Sequence, residues 1–208
     1  FANDDNDPMD DHSHGTHCAG TIAADTDNGR YVSGVAGGLD GNAGASIMTL
    51  VGFGQTSNSG FAEALVYASD NGARISSNSW SYGSGGYVDQ DILDAIDYSY
   101  DEDTVIVFAA GNYNTDSATY PAYYDKTIAV AAVDDDGERA SFSNYGSWID
   151  ISAPGVDVLS TVTVSDGYTD RYSGTSMACP HVAGVIALGL SVDPSKTGDE
   201  IRECLFDT

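Results

Sequence analysis

Arg171-Tyr-Ser-Gly174-Thr175-Ser176-Met177-Ala-Cys179-Pro180-His181-Val-Ala-Gly184-Val-Ile-Ala-Leu-Gly-Leu190 decides how the chain reads. A polar turn containing a glycine runs straight into a nearly pure apolar segment. Gly174 permits a tight backbone, and Thr175 or Ser176 has the side chain to cap the helix that follows. From Met177 to Leu190, small and aliphatic residues occupy every side, which predicts a buried helix. A serine at the N-terminus of such a helix has two readings. It is a plain cap, or it is a hydroxyl beside free N–H groups and a positive dipole end that favour developing negative charge.

Upstream of this segment the chain alternates. Residues 45–51 read as a buried strand, 61–68 as a helix ended by Asn71-Gly72, and 73–78 as a strand. Residues 91–98 read as a helix with apolar residues at 92, 93 and 96. Residues 104–110 and 127–133 are short continuous apolar runs, as central parallel strands require. The pattern predicts an α/β fold of three layers, a mostly parallel sheet with helices on both faces. Ligands in such folds bind beyond the carboxyl ends of the strands. Ser79-Trp80-Ser81 and Ala110-Gly111-Asn112 fall at such ends. By itself Gly-Asn after a strand is an ordinary turn, and Trp80 reads equally as core.

Near the start, His12-x-His14-x-x-His17 follows an acidic loop, residues 3–12. The spacing fits a metal site with Asp10 and Asp11 as further ligands, and it fits a solvated loop. Gly15-Thr16 and then residues 18–24 read as a tightly packed helix, with His14 at its mouth and His17 one turn on. Asp25-Thr-Asp27-Asn28-Gly29 is a turn.

The 208 residues form one domain with a sizeable core. The chain begins at Phe1 without Met and stops soon after a helix-like run, residues 199–205, so both ends read as cut from something longer. No run reads as a membrane span and no signal peptide is present. Seven Lys and Arg against 32 Asp and Glu give a net charge of −25. That balance argues against nucleic-acid and anionic-membrane partners, and it predicts stabilisation by salt or divalent cations. Three cysteines, Cys18, Cys179 and Cys204, leave at least one free thiol or an intermolecular bond. Cys18 and Cys179 read as small buried hydrophobes beneath the site, with a cysteine nucleophile as the sharper alternative.

Three segments resemble those of the subtilisin-like serine proteases, the subtilases. They are residues 174–184 (Gly174-Thr175-Ser176-Met177), residues 14–24 (His14-Gly15-Thr16-His17) and Ala109-Ala110-Gly111-Asn112. The resemblance implies an extracellular, monomeric serine endopeptidase acting on proteins or peptides. Ser176 would be its nucleophile, His14 its general base and Asn112 its oxyanion donor, with His17 and His181 structural. It also implies that Ser79-Trp80-Ser81 lines the substrate, with Ser81 standing where the family's motif has Gly, and that Ala110 and Gly111 border the pocket. Thr119 would lie near the pocket floor, favouring intermediate apolar side chains, and Tyr120–Pro121 would be cis. Residues 140–146 and 150–155 resemble the proteinase K-like branch, in which Asp150 would bind calcium with the carbonyls of Asp125 and Thr127. The turn carrying Asp25 and Asp27 is a second implied calcium position.

The same resemblance demands a carboxylate to orient His14, from an Asp ending an apolar strand well upstream of the histidine. Asp4, Asp5, Asp7, Asp10 and Asp11 follow no such strand. The triad Asp is therefore expected outside this chain. A subtilase-fold pseudoenzyme that binds peptides, and a zinc site on His12, His14 and His17, are the competing expectations.

Overall fold

The computed structural model describes residues 7–39, 41–52, 59–83 and 86–207. Helix α1 (His14–Ala23) is followed by a small antiparallel pair, β1 (Gly38–Leu39) and β2 (Asn42–Ala43). Then come α2 (Ser59–Asp70), β3 (Ile75–Asn78), α3 (Gln90–Asp101), β4 (Val105–Ala109), β5 (Thr127–Val133) and β6 (Ile151–Pro154). A hairpin of β7 (Val158–Thr161) and β8 (Thr169–Tyr172) leads into α4 (Thr175–Val192) and α5 (Gly198–Phe206).

Strands β3, β4, β5 and β6 lie in that order, all parallel. Successive side chains of a strand point to opposite faces, and both faces here are covered. Val105, Val107, Ala109, Ile128, Val130 and Ala132 pack under α4 and α5 with Val182, Ile186 and Ile201. Ile106, Phe108 and Ala129 face the other way, onto Leu65, Ile92 and Ile96 of α2 and α3. Each fully buried Val, Ile or Phe contributes about 1.5–3 kcal/mol, so a strand buried on both faces has to be a continuous apolar run. The predicted three-layer architecture is the observed one.

Residues 45–51 differ from expectation. They form no strand, and Ile47 and Met48 are 42% and 41% exposed. Apolar composition does not make a strand; a hydrogen-bonded neighbour does. Among the described residues, β3 pairs only with β4, and no ladder reaches residues 45–51. A second correction concerns α4, which is long and apolar enough by composition to cross a membrane. Its packing against all four central strands identifies it as the core helix of the sheet.

Candidate active site

Helix α4 starts at Thr175 behind an extended Gly174, which has no side chain of its own to cap it. Neither Thr175 nor Ser176 is the expected cap; both are engaged elsewhere. Pro180, one turn into the helix, has no N–H to give to the carbonyl of Ser176. That carbonyl accepts instead from Ser79 Oγ at 2.8 Å and from Cys18 Sγ at 3.4 Å. A missing helix bond thus ties Ser176 to the end of β3 and to α1. The Ser176 hydroxyl donates to the Ser79 carbonyl at 3.3 Å.

Asn112 lies just beyond β4. Its Oδ1 accepts from the Thr175 N–H at 2.8 Å and from Thr175 Oγ1 at 3.0 Å. Thr175 Oγ1 in turn accepts from Gly111 N–H at 3.0 Å. With Oδ1 taken up twice, the amide donor Nδ2 is the free end, and it lies 3.5 Å from the position a Cβ on residue 174 would take. Gly174 therefore keeps the space in front of that donor open.

Asn144 completes this half, and the sequence reading did not single it out. It is fully buried. Its Oδ1 accepts from Tyr113 N–H at 2.9 Å, and its Nδ2 donates to Ala110 O at 2.8 Å and Thr119 Oγ1 at 3.0 Å. One amide thus joins the Gly111–Asn112 turn to the segment bearing Thr119, which is 1% exposed. Gly111, at φ 104°, lies so near Asn144 that an added Cβ would meet Nδ2 at 2.6 Å. The available signal was the pair Ser143-Asn144, two polar residues that end up enclosed. Trp80 packs against Phe108 and Phe61, so its ring belongs to the α2–α3 core while Ser79 and Ser81 stay half-buried beside it. The Tyr120–Pro121 bond is cis, as expected.

His14 opens α1, which Asp10 holds from the front. The Asp10 carboxylate accepts from Thr16 N–H at 2.8 Å, Thr16 Oγ1 at 2.7 Å, His12 N–H at 2.8 Å and Ser13 N–H at 3.0 Å. Burial pushes its pKa up, but these bonds outweigh that and bring it below the usual value. Asp10 is thus bonded to the helix start. Among the described residues no three His, Cys, Asp or Glu side chains are placed to hold a metal, so His12, His14 and His17 do not form the zinc cluster of the competing reading. His14 is half-buried, and its pKa is lowered by desolvation first and then by the charges of His12 and His17, with Asp10 opposing. His17 is fully buried, stacks on Tyr172 at 4.5 Å, and bonds through Nε2 to Val158 O and Asp170 O. It is structural, and so is His181, whose Nδ1 pairs with Met177 O at 2.8 Å.

All three cysteines are free. Burial pushes the thiols of Cys18 and Cys179 to about 12 and about 11, which leaves neither as a thiolate nucleophile. The implied calcium position at Asp150 is partly taken up by bonds to the protein. Asp150 Oδ2 accepts from Ala129 N–H at 2.7 Å, and the Asp125 carbonyl accepts from the Arg202 guanidinium at 3.3 Å. A cation from α5 already stands at an oxygen that would have ligated calcium. Asp25 and Asp27 are exposed on their turn.

Fold and site together define a class: a parallel α/β protein with a serine at the N-terminus of a buried helix, an amide donor fixed beside it, and a histidine on a second helix bonded to the first. The model of the subtilase family matches residues 1–208. The chain belongs to the subtilase family. It is 40% identical over 211 residues to the thermophilic serine proteinase of Bacillus sp. strain AK1, covering all of this chain and 49% of that protein. It is 38% identical over 209 residues to thermitase of Thermoactinomyces vulgaris, covering all of this chain and 71% of that one. Among solved structures, a protease of Pseudoalteromonas arctica PAMC 21717 matches with TM-score 0.81 and 37% identity over 94% of this chain and 63% of that one. The chain spans about half the length of the Bacillus relative.

Proposed function

We propose that this chain carries the reacting groups of a secreted serine endopeptidase that hydrolyses peptide bonds in proteins through an acyl-enzyme. The single observation behind this reading is the orientation of Asn112 by Thr175, the residue before Ser176. It aims a fixed amide donor at the place where an oxyanion would form, and such preorganised donors are a large part of acyl-transfer catalysis. Ser176 attacks the peptide carbonyl. His14 takes its proton and returns it to the leaving amine, while Asn112 Nδ2 and the Ser176 N–H hold the oxyanion. The carboxylate that orients His14 comes from outside this chain. An extended substrate pairs with the backbone along residues 79–81. The protein works as a monomer. An extracellular protease of Xanthomonas campestris, 41% identical over 198 residues, supports the secreted reading. Calcium enters as a structural ion at the turn of Asp25 and Asp27. Calcium-binding stoichiometry checks this: Asp27→Asn loses one ion, and Asp150→Asn loses none.

The decisive experiment is fluorophosphonate labelling of the protein expressed with its own flanking sequence, with the adduct mapped by mass spectrometry. An adduct on Ser176 that His14→Ala abolishes is the expected result. One observation favours a second reading, a peptide-binding module without turnover: the Ser176 hydroxyl donates to the Ser79 carbonyl. A folded sample that binds peptide but takes no label would make that reading the better one.

A further inference from the structure

Ser13, immediately before His14, is fully buried and sits in the left-handed region at φ 65°. A non-glycine residue there costs of order 1 kcal/mol or more and persists only when its surroundings fix it. The fixing groups lie 150 residues downstream, in the turn between β7 and β8. Ser13 Oγ accepts from Thr163 N–H at 3.2 Å, shares a hydroxyl bond with Thr163 Oγ1 at 2.9 Å, and donates to the carboxylate of Asp166. A hydrogen bond to an ionised carboxylate is about twice as strong as a neutral one.

The same hairpin grips the rest of α1. Thr161 Oγ1 donates to Thr16 O at 2.9 Å and Ser160 Oγ to His17 O at 2.8 Å. Beyond the helix, Tyr31 stacks on Tyr168 at 5.2 Å. Strand β8 then runs through Ser173 into Gly174 and Ser176. The element that delivers the nucleophile is therefore also the one that sets the backbone of the base. Two carboxylates are bonded to Ser13: Asp10 takes its N–H at 3.0 Å, and Asp166, on an exposed turn, takes its hydroxyl.

We propose that Asp166 is a positioning residue for His14. By holding the Ser13 hydroxyl it fixes the left-handed turn that presents the imidazole to Ser176. This rests on the peptidase reading above. A displacement of about 1 Å at a reacting group costs up to about 10² in rate, and a group that only positions the base leaves substrate binding alone.

The test compares Asp166→Ala, Asp166→Asn and Ser13→Ala in the protein with its own flanking sequence, normalised to sites titrated by fluorophosphonate. Asp166→Ala should lower kcat per titrated site about ten- to a hundredfold with KM unchanged. Asp166→Asn should recover most of it, since an amide oxygen still accepts from Ser13. Ser13→Ala should match Asp166→Ala, and the double variant should be no worse than either. The ¹H–¹⁵N imidazole signals of His14, recorded in parallel, should move in Asp166→Ala and return in Asp166→Asn. A fall in Tm with kcat per site and the His14 signals unmoved would overturn the proposal. If the unmutated protein takes no label, the peptidase reading fails instead, and the His14 signals alone decide whether Asp166 positions the ring.

Discussion

The two halves of the site are built differently. The serine half is one hydrogen-bonded network: β4 ends in the Gly111–Asn112 turn, Thr175 bonds to both of those residues, and Asn144 ties the turn to Thr119. The histidine half is a surface helix set on a hairpin, anchored by Asp10 and Ser13 at one end and by His17 beneath. The first half joins segments 64 residues apart, Thr175 with Gly111, through a helix that packs across the sheet. The second half depends on contacts between segments about 150 residues apart. The lesson is that the proposed oxyanion donor and nucleophile are held by one amide–hydroxyl network, whereas the proposed base is held by a hairpin through hydroxyl and carboxylate bonds.

If that contrast is real, the largest effect on turnover short of removing a reacting residue comes from the donor. Asn112→Ala should lower kcat by about 10²–10³, the loss found on removing such a donor from subtilisin, with KM nearly unchanged and Tm somewhat lowered, because the Thr175 N–H and hydroxyl lose their acceptor. Steady-state kinetics on a peptide substrate checks it. Asn144→Ala should act on stability instead. It leaves the N–H of Tyr113 and the buried carbonyl of Ala110 without their partner, and should cost about 3 kcal/mol in urea unfolding. Loss of activity in proportion to loss of folded protein would sharpen the picture of one rigid unit.

On the other side, Gly20→Ala places a Cβ 2.0 Å from Thr161 Oγ1 and 2.7 Å from Ser160 Oγ. It should push α1 off the hairpin and cost about 1–3 kcal/mol, with kcat falling further than the Asn144 variant's fraction folded would explain. An unchanged kcat per active site would break the comparison, because the base would then be insensitive to its mount. The smallest effect is in pH dependence. His14 must be neutral to accept a proton, and burial followed by the nearby histidine charges lowers its pKa. A lowered pKa keeps the base neutral to lower pH, so activity falls on the acid side as pH drops through that value. His12→Ala removes one of those charges and should raise the acid limb of kcat/KM by about half a unit or less.

Much of this was legible beforehand. The runs 104–110 and 127–133 became β4 and β5, because strands buried on both faces must be apolar throughout. The run 45–51 had the same composition and did not become a strand, since pairing depends on a neighbour that composition does not specify. Ser176, His14 and Asn112 were marked by motif. Asn144, though inside the matching stretch 140–146, and Asp166 were not singled out, because each acts through contacts with residues far off in sequence.

The sequence by itself determined the family, the alternation of strands and helices, and which residues stand in the family's motifs. Those follow from periodicity and from short motifs, which are properties of neighbouring residues. Only the tertiary structure decided how they are held. Thr175 orients Asn112 where a helix cap was expected. Pro180 frees the Ser176 carbonyl for Ser79 and Cys18. Arg202 donates to the Asp125 carbonyl, beside a segment that the motifs marked only for calcium. The physical reason is common to all three. A buried polar atom must find a partner, and which partner it finds is set by whichever segment the fold brings within about 3 Å.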